Sequence, residues 1–203
     1  MGMMDMLQVT NFFLELDALK HIQRRSYITG GERLENSAEH SWHLAMACWN
    51  IAAYFQLDVD MAKLLQYALV HDLGEVDAGD TFLYSKERKT SNEAERLCVQ
   101  RFSEHSGNHI QDLLTLWDEQ EFGHSTEAKL MKTVDRLLPF LLNIAAEGKT
   151  WKSHQIRASQ VKNAHAFIAD DFPELHQWLS EKIDYATQQG WLLADDAAEV
   201  ATE

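Results

Sequence analysis

The chain has 203 residues, with 18 Lys and Arg against 32 Asp and Glu, a formal net charge of −14. That length fits one domain with a sizeable core. The charge disfavours a nucleic-acid polymer or an anionic membrane surface as partner, because both repel it.

The segment MGMMDMLQVTNFFLELDALK has no basic run and no small-residue cleavage site, so it reads as an amphipathic helix rather than a signal peptide. No stretch of about 18 apolar residues is present, so no membrane span is expected. Cys48 and Cys98 are the only cysteines. They form no CxxC pair and point to a reducing, cytoplasmic compartment.

Apolar residues recur at intervals of three and four along the chain, as in Leu64, Leu65, Ala68 and Leu69. This is helical periodicity, and no hairpin signal interrupts it. The expected fold class is all-α, a single helical bundle of about eight or more helices over residues 1–190, with a frayed tail at 191–203. The periodicity predicts helices over roughly 5–24, 37–56, 60–74, 91–105, 108–118, 125–147, 153–169 and 173–188. SYITGGERLEN, GEVDAGDTFLYSKERKTSN and EFGHS read as loops. Pro139 falls inside a predicted helix, where it removes one donor.

Chemistry concentrates in a few places. In ENSAEHSWHLA, Asn36 can cap a helix with Glu39 as its capping-box partner. His40 and His43 then fall in the first turns, on neighbouring positions of one face. His43 taken alone reads as a surface or core-edge histidine. Further on, the apolar helix AKLLQYALV runs straight into His71 and Asp72. Titratable groups there are costly to bury without partners. A metal ion removes that cost, and imidazole and carboxylate are common ligands. Glu75 lies one turn beyond His71, and Asp77 and Asp80 follow. Asp135, beside Val134, Leu137 and Leu138, is an acid in an apolar helix. By itself it reads equally well as the ion-pair partner of an arginine.

His40, His71-Asp72 and Asp135, in that order, resemble the H…HD…D signature of the HD-domain metal-dependent phosphohydrolases. The likeness runs over roughly residues 8–165. ENSAEHS, HDLGEVDAGD and KTVD resemble the small HD hydrolases that include the bacterial 5′-deoxynucleotidases. The resemblance implies a helical homodimer, a phosphomonoesterase that removes phosphate from (deoxy)nucleoside 5′-monophosphates by metal-activated water. It implies one divalent ion, Mn, Co, Fe, Ni or Zn, held by His40, His71, Asp72 and Asp135. Glu75 and Asp80 are implied as catalytic or substrate-ordering acids. An arginine fifteen residues before the first histidine contacts phosphate in that family, and Arg25 stands there. The deoxynucleotidases have tryptophan at the next position, where it helps select the sugar; this chain has Ser26.

A phosphate dianion entering so acidic a chain needs local cations, and Arg25 and Arg33 are the candidates. Lys86, Arg88 and Lys89 form a basic run that reads either as a solvated stretch or as a flap. Two other readings stay open: a phosphodiesterase or nucleoside triphosphate hydrolase, and a non-catalytic protein with a structural metal.

Overall fold

A computed structural model describes residues 3–85 and 88–195. It is helical, as the periodicity predicts. In chain order it runs α1 (Met3–Leu16), a 3-10 turn (Asp17–His21), β1 (Gln23–Tyr27), β2 (Leu34–Asn36), α2 (Ser37–Tyr54), α3 (Met61–Val70) and α4 (Glu75–Ala78). α5 (Arg88–Ser103), α6 (Leu113–Phe122), α7 (Thr126–Ala145), α8 (Lys149–Ser153), α9 (Ala158–His165), α10 (Ile168–Asp171) and α11 (Pro173–Gln188) follow. No described helix is long and apolar enough to cross a membrane. Lys86 lies outside the described residues, and Arg88 and Lys89 fall in the first turn of α5.

The differences from the predicted elements have local causes. The first helix does not reach residue 24. It ends through the 3-10 turn, and β1 pairs with β2 in a two-stranded sheet. QRRSY alternates exposed and buried positions, the period of a strand. The helix predicted from 108 starts at Leu113. Asn108 Oδ1 accepts from the Ile110 amide at 2.9 Å, and Asp112 has φ +58°, so this stretch is a turn. The helix predicted over 153–169 is broken before α9, at Gln155 (φ +52°) and the extended Arg157. The long loop after His71 contains the turn α4.

The chain forms two compact units, Met1–Arg24 with Glu35–Val134, and Arg25–Leu34 with Asp135–Glu203. In the first unit, α2 packs on α3, and α5 on α4 and α6. Phe12, Val70, Leu73, Cys98, Val99, Phe102, Leu113 and Trp117 form one buried cluster. Each such fully buried large side chain contributes about 1.5–3 kcal/mol of transfer free energy. Val70 and Leu73 flank His71 and Asp72 in sequence, so this core anchors the pair. Gly74 is required by a close approach: a Cβ there would lie 2.5 Å from Glu95 Cβ. α4 thereby sits against α5.

In the second unit, Phe140 is the hub of an aromatic group with Trp151, His165 and Trp178. α10 and α9 pack on α11. Leu193 forms a parallel bridge with Arg157, and Leu192 is buried. Residues 196–203, where the frayed tail was expected to continue, lie outside the described residues. Neither cysteine forms a disulfide, and both are buried.

Candidate metal centre

The capping box predicted at the start of α2 is present. Asn36 Oδ1 accepts from the Glu39 amide at 2.9 Å, and Glu39 Oε2 accepts from the Asn36 amide at 3.3 Å. This fixes the start of α2 and places His40 one turn in, fully buried. His71 is the residue that ends α3. Its carbonyl, one of the orphan acceptors of a helix end, receives Trp117 Nε1 at 3.1 Å. Asp72 follows at once.

His40, His71 and Asp72 each offer a ligand atom, and the three atoms lie within 4.8 Å of one another. All three residues are buried. The two rings are 5.4 Å apart between centroids. His71 Nδ1 is 2.9 Å from the Ala68 carbonyl oxygen. An N–H donated there makes Nε2 the lone-pair nitrogen. That Nε2 sits 3.0 Å from Asp72 Oδ1. Two acceptors at that distance repel unless a proton or a cation lies between them. The donor set of two imidazoles and a carboxylate therefore fits a divalent transition metal.

Other charges surround the three. Arg24, on β1, donates from Nη1 to Asp72 Oδ2. The same Nη1 is 3.9 Å from Glu75 Oε1, and Arg24 Nε is 3.7 Å from Glu35 Oε2. Burial opposes ionisation of Asp72, but His71 and Arg24 outweigh it and hold the carboxyl below its ordinary range. Glu35 behaves likewise: burial would raise it, yet His40, His43 and Arg24 bring it down to about 2. Glu75 goes the other way. Burial, then the Asp72 and Asp80 carboxylates, push it up to about 9, against the opposing pull of Arg24 and Ser37. Ser37 Oγ donates to Glu75 Oε2 at 2.6 Å.

The remaining predicted residues are placed as follows. Asp80 comes just after Gly79, which ends α4 with φ +78°. Asp135 belongs to the second unit, on α7, where its carboxylate accepts from Arg136 Nη1 at 2.5 Å. Arg25, Ser26 and Arg33 also belong to the second unit. Arg25 and Arg33 are exposed, and Ser26 is buried. Arg33 Nη1 donates to the Leu34 carbonyl at 3.0 Å.

Arg24, Glu35 and Ser37 are residues of this site that the sequence reading missed. The signal for Arg24 was the alternation in QRRSY, which turns Arg24 and Ser26 to the buried side and Arg25 away. Glu35 stood next to the Asn36 cap, where an acid reads as a helix-start charge. Nothing in the sequence marks Ser37.

A family profile described as HD domain matches residues 16–176. The chain is 30% identical over 134 residues to the 5′-deoxynucleotidase HDDC2 of Dictyostelium discoideum, covering 62% of this chain and 70% of that protein. A crystal structure described as a predicted metal-dependent phosphohydrolase from Magnetospirillum magnetotacticum superposes with a TM-score of 0.81 at 31% identity. The match covers 92% of this chain and 95% of that one. A conserved hypothetical protein from Pyrococcus furiosus matches with a TM-score of 0.56 at 22% identity, over 88% of this chain and 99% of that one, and shares the fold.

Proposed function

The chain belongs to the HD-domain family of metal-dependent hydrolases, and we propose that it is a cytoplasmic phosphomonoesterase acting on nucleoside or deoxynucleoside 5′-monophosphates. The observation that carries the proposal is the buried convergence of His40, His71 and Asp72, with ligand atoms within 4.8 Å. The likeness to a 5′-deoxynucleotidase supports the substrate class.

His40, His71 and Asp72 would hold the ion, and Asp135 of α7 is proposed as the further carboxylate donor. A divalent ion in such a site lowers the pKa of water and offsets charge on phosphoryl oxygens. Glu75, which follows His71 and Asp72 at the start of α4, is proposed to position the attacking water or to give a proton to the leaving alkoxide. Ser37 holds its carboxyl in place. Asp80 is proposed to order the substrate or to bind a sugar hydroxyl. Arg24 offsets the acids around it. Arg25 and Arg33 are the proposed phosphate contacts, with Ser26 near the sugar. A homodimer belongs to the same proposal. α1 leaves Met6, Leu7, Phe13 and Leu14 exposed, a surface whose burial in a dimer sedimentation would report.

The test is phosphate release from ribo- and deoxyribonucleoside 5′-monophosphates by metal-stripped protein, with Mn, Co, Fe, Ni or Zn restored singly. Release that depends on added metal and vanishes in Asp72→Ala supports the reading. Release only from diesters or triphosphates would replace the substrate class, and release unaffected by Asp72→Ala would remove the site.

A further inference from the structure

We propose that Glu35 is the positioning residue for His40, presenting the His40 Nε2 lone pair to the metal and setting the affinity of the site. The inference rests on the reading of His40 as a ligand.

Glu35 is 3% exposed, on the short strand β2, and is continuous in sequence with the cap that starts α2. Its Oε2 lies 3.3 Å from His40 Nδ1, an ion-pair contact rather than an aligned hydrogen bond. Its Oε1 is 3.9 Å from His43 Nδ1. A buried carboxylate has little reason to sit against an imidazole nitrogen unless that nitrogen carries a proton. A proton on Nδ1 leaves Nε2 as the lone-pair nitrogen. His71 reaches the same state by another route, with Nδ1 against the Ala68 carbonyl. The two rings thus meet different groups: His71 a neutral backbone acceptor within hydrogen-bond distance, His40 a carboxylate whose charge favours the N–H over the lone pair on the nitrogen beside it. A carboxylate beside the ring raises the donor strength of that imidazole.

Glu35 also lies 3.7 Å from Arg24 Nε, while Arg24 Nη1 holds Asp72. Glu35 therefore touches one proposed ligand directly and a second through Arg24. The capping box, conversely, fixes the backbone of Asn36, next to Glu35. The local sequence ENSAEH thus specifies a helix start, a ligand and the group that orients it within six residues.

The experiment compares wild-type protein with Glu35→Gln and Glu35→Ala, all metal-stripped. Three readouts are taken: thermal unfolding without metal, Co2+ affinity from visible absorption, and the His40 tautomer from long-range 1H–15N spectra. His40→Ala serves as the reference for loss of the ligand. Glu35→Gln keeps an acceptor without the charge. The expected result is an Nδ1–H tautomer in wild type, Co2+ affinity lowered about tenfold in Glu35→Gln, and 10–100-fold lower affinity with loss of the tautomer preference in Glu35→Ala. If Glu35→Ala does not fold, the Glu35→Gln affinity decides alone. Co2+ binding within twofold of wild type in the folded variants overturns the inference. If wild type itself binds no Co2+, or His40→Ala binds it as wild type does, the metal-site reading has failed, and Glu35 falls with it.

Discussion

Ser37 Oγ donates to Glu75 Oε2 at 2.6 Å. This bond joins the first residue of α2 to the first residue of α4, 38 positions apart. It ties the helix that carries His40 to the turn that carries Glu75, inside one packed unit. Both side chains are buried. Ser37→Ala leaves a buried acceptor without this donor, at a cost of about 1–3 kcal/mol. Urea unfolding of the metal-free protein measures it, and an unchanged midpoint would show that the bond contributes nothing.

Glu75 makes stability depend on pH in a specific direction. Its carboxyl is pushed up to about 9 in the folded chain by burial and by Asp72 and Asp80. An unfolded glutamate titrates near its ordinary value. Between the two, the folded state binds more protons, so this group's contribution falls as pH rises. It is fully present below the unfolded value and lost as pH climbs through about 9. Glu75→Gln removes the titration. The difference in melting temperature between Glu75→Gln and metal-free wild type therefore shifts in favour of the variant from pH 5 to pH 9. A difference that stays flat over that range contradicts the placement of Glu75.

Arg24 and Arg25 are neighbours with separate duties. Arg24 is buried among Glu35, Asp72 and Glu75, whereas Arg25 is exposed. Arg24→Met strands buried carboxylates and costs about 3–5 kcal/mol. Arg25→Met changes stability by no more than about 0.5 kcal/mol. If Arg25 is the phosphate contact, Arg25→Met raises KM at unchanged unfolding free energy. Equal destabilisation by the two substitutions would contradict the strand register.

Gly74 follows His71, Asp72 and Leu73 and has no room for a side chain. A Cβ there would fall 2.7 Å from the Glu95 carbonyl oxygen as well as 2.5 Å from its Cβ. Gly74→Ala must push α4 off α5. The expected cost is about 1–3 kcal/mol, with a fall in kcat because Glu75 moves with α4. Wild-type stability and turnover in this variant would show that the contact is easily relieved.

The parts of the site that were legible in the sequence are those with local signatures. The Asn36–Glu39 capping box is a four-residue pattern, and it placed His40 on α2. The apolar run ending at His71-Asp72 announced its own burial. What was missed depends on partners distant in sequence. Arg24 stood at the end of a run whose apolar spacing continued a helix, and only pairing of β1 with β2 turned it inward. Ser37 meets Glu75 across 38 positions, which no local pattern encodes. The breaks at Asp112 and at Gln155 rest on single residues with positive φ. Neither is a glycine, so neither announces itself as a helix stop. Asp135 alone reads equally as ligand or as arginine partner, and its place after His40 and His71-Asp72 makes it a ligand candidate; Arg136 donates to its carboxylate.

Metal stoichiometry decides whether His40, His71 and Asp72 bind a divalent ion. Wild type, His40→Ala, His71→Ala and Asp72→Ala are stripped, equilibrated with Mn2+, Co2+ or Zn2+, desalted and assayed by elemental analysis, with circular dichroism to establish folding. Each wild-type chain should hold one tightly bound ion, and each folded variant should lose it. Folded variants that retain the full wild-type metal content would contradict binding at these three residues.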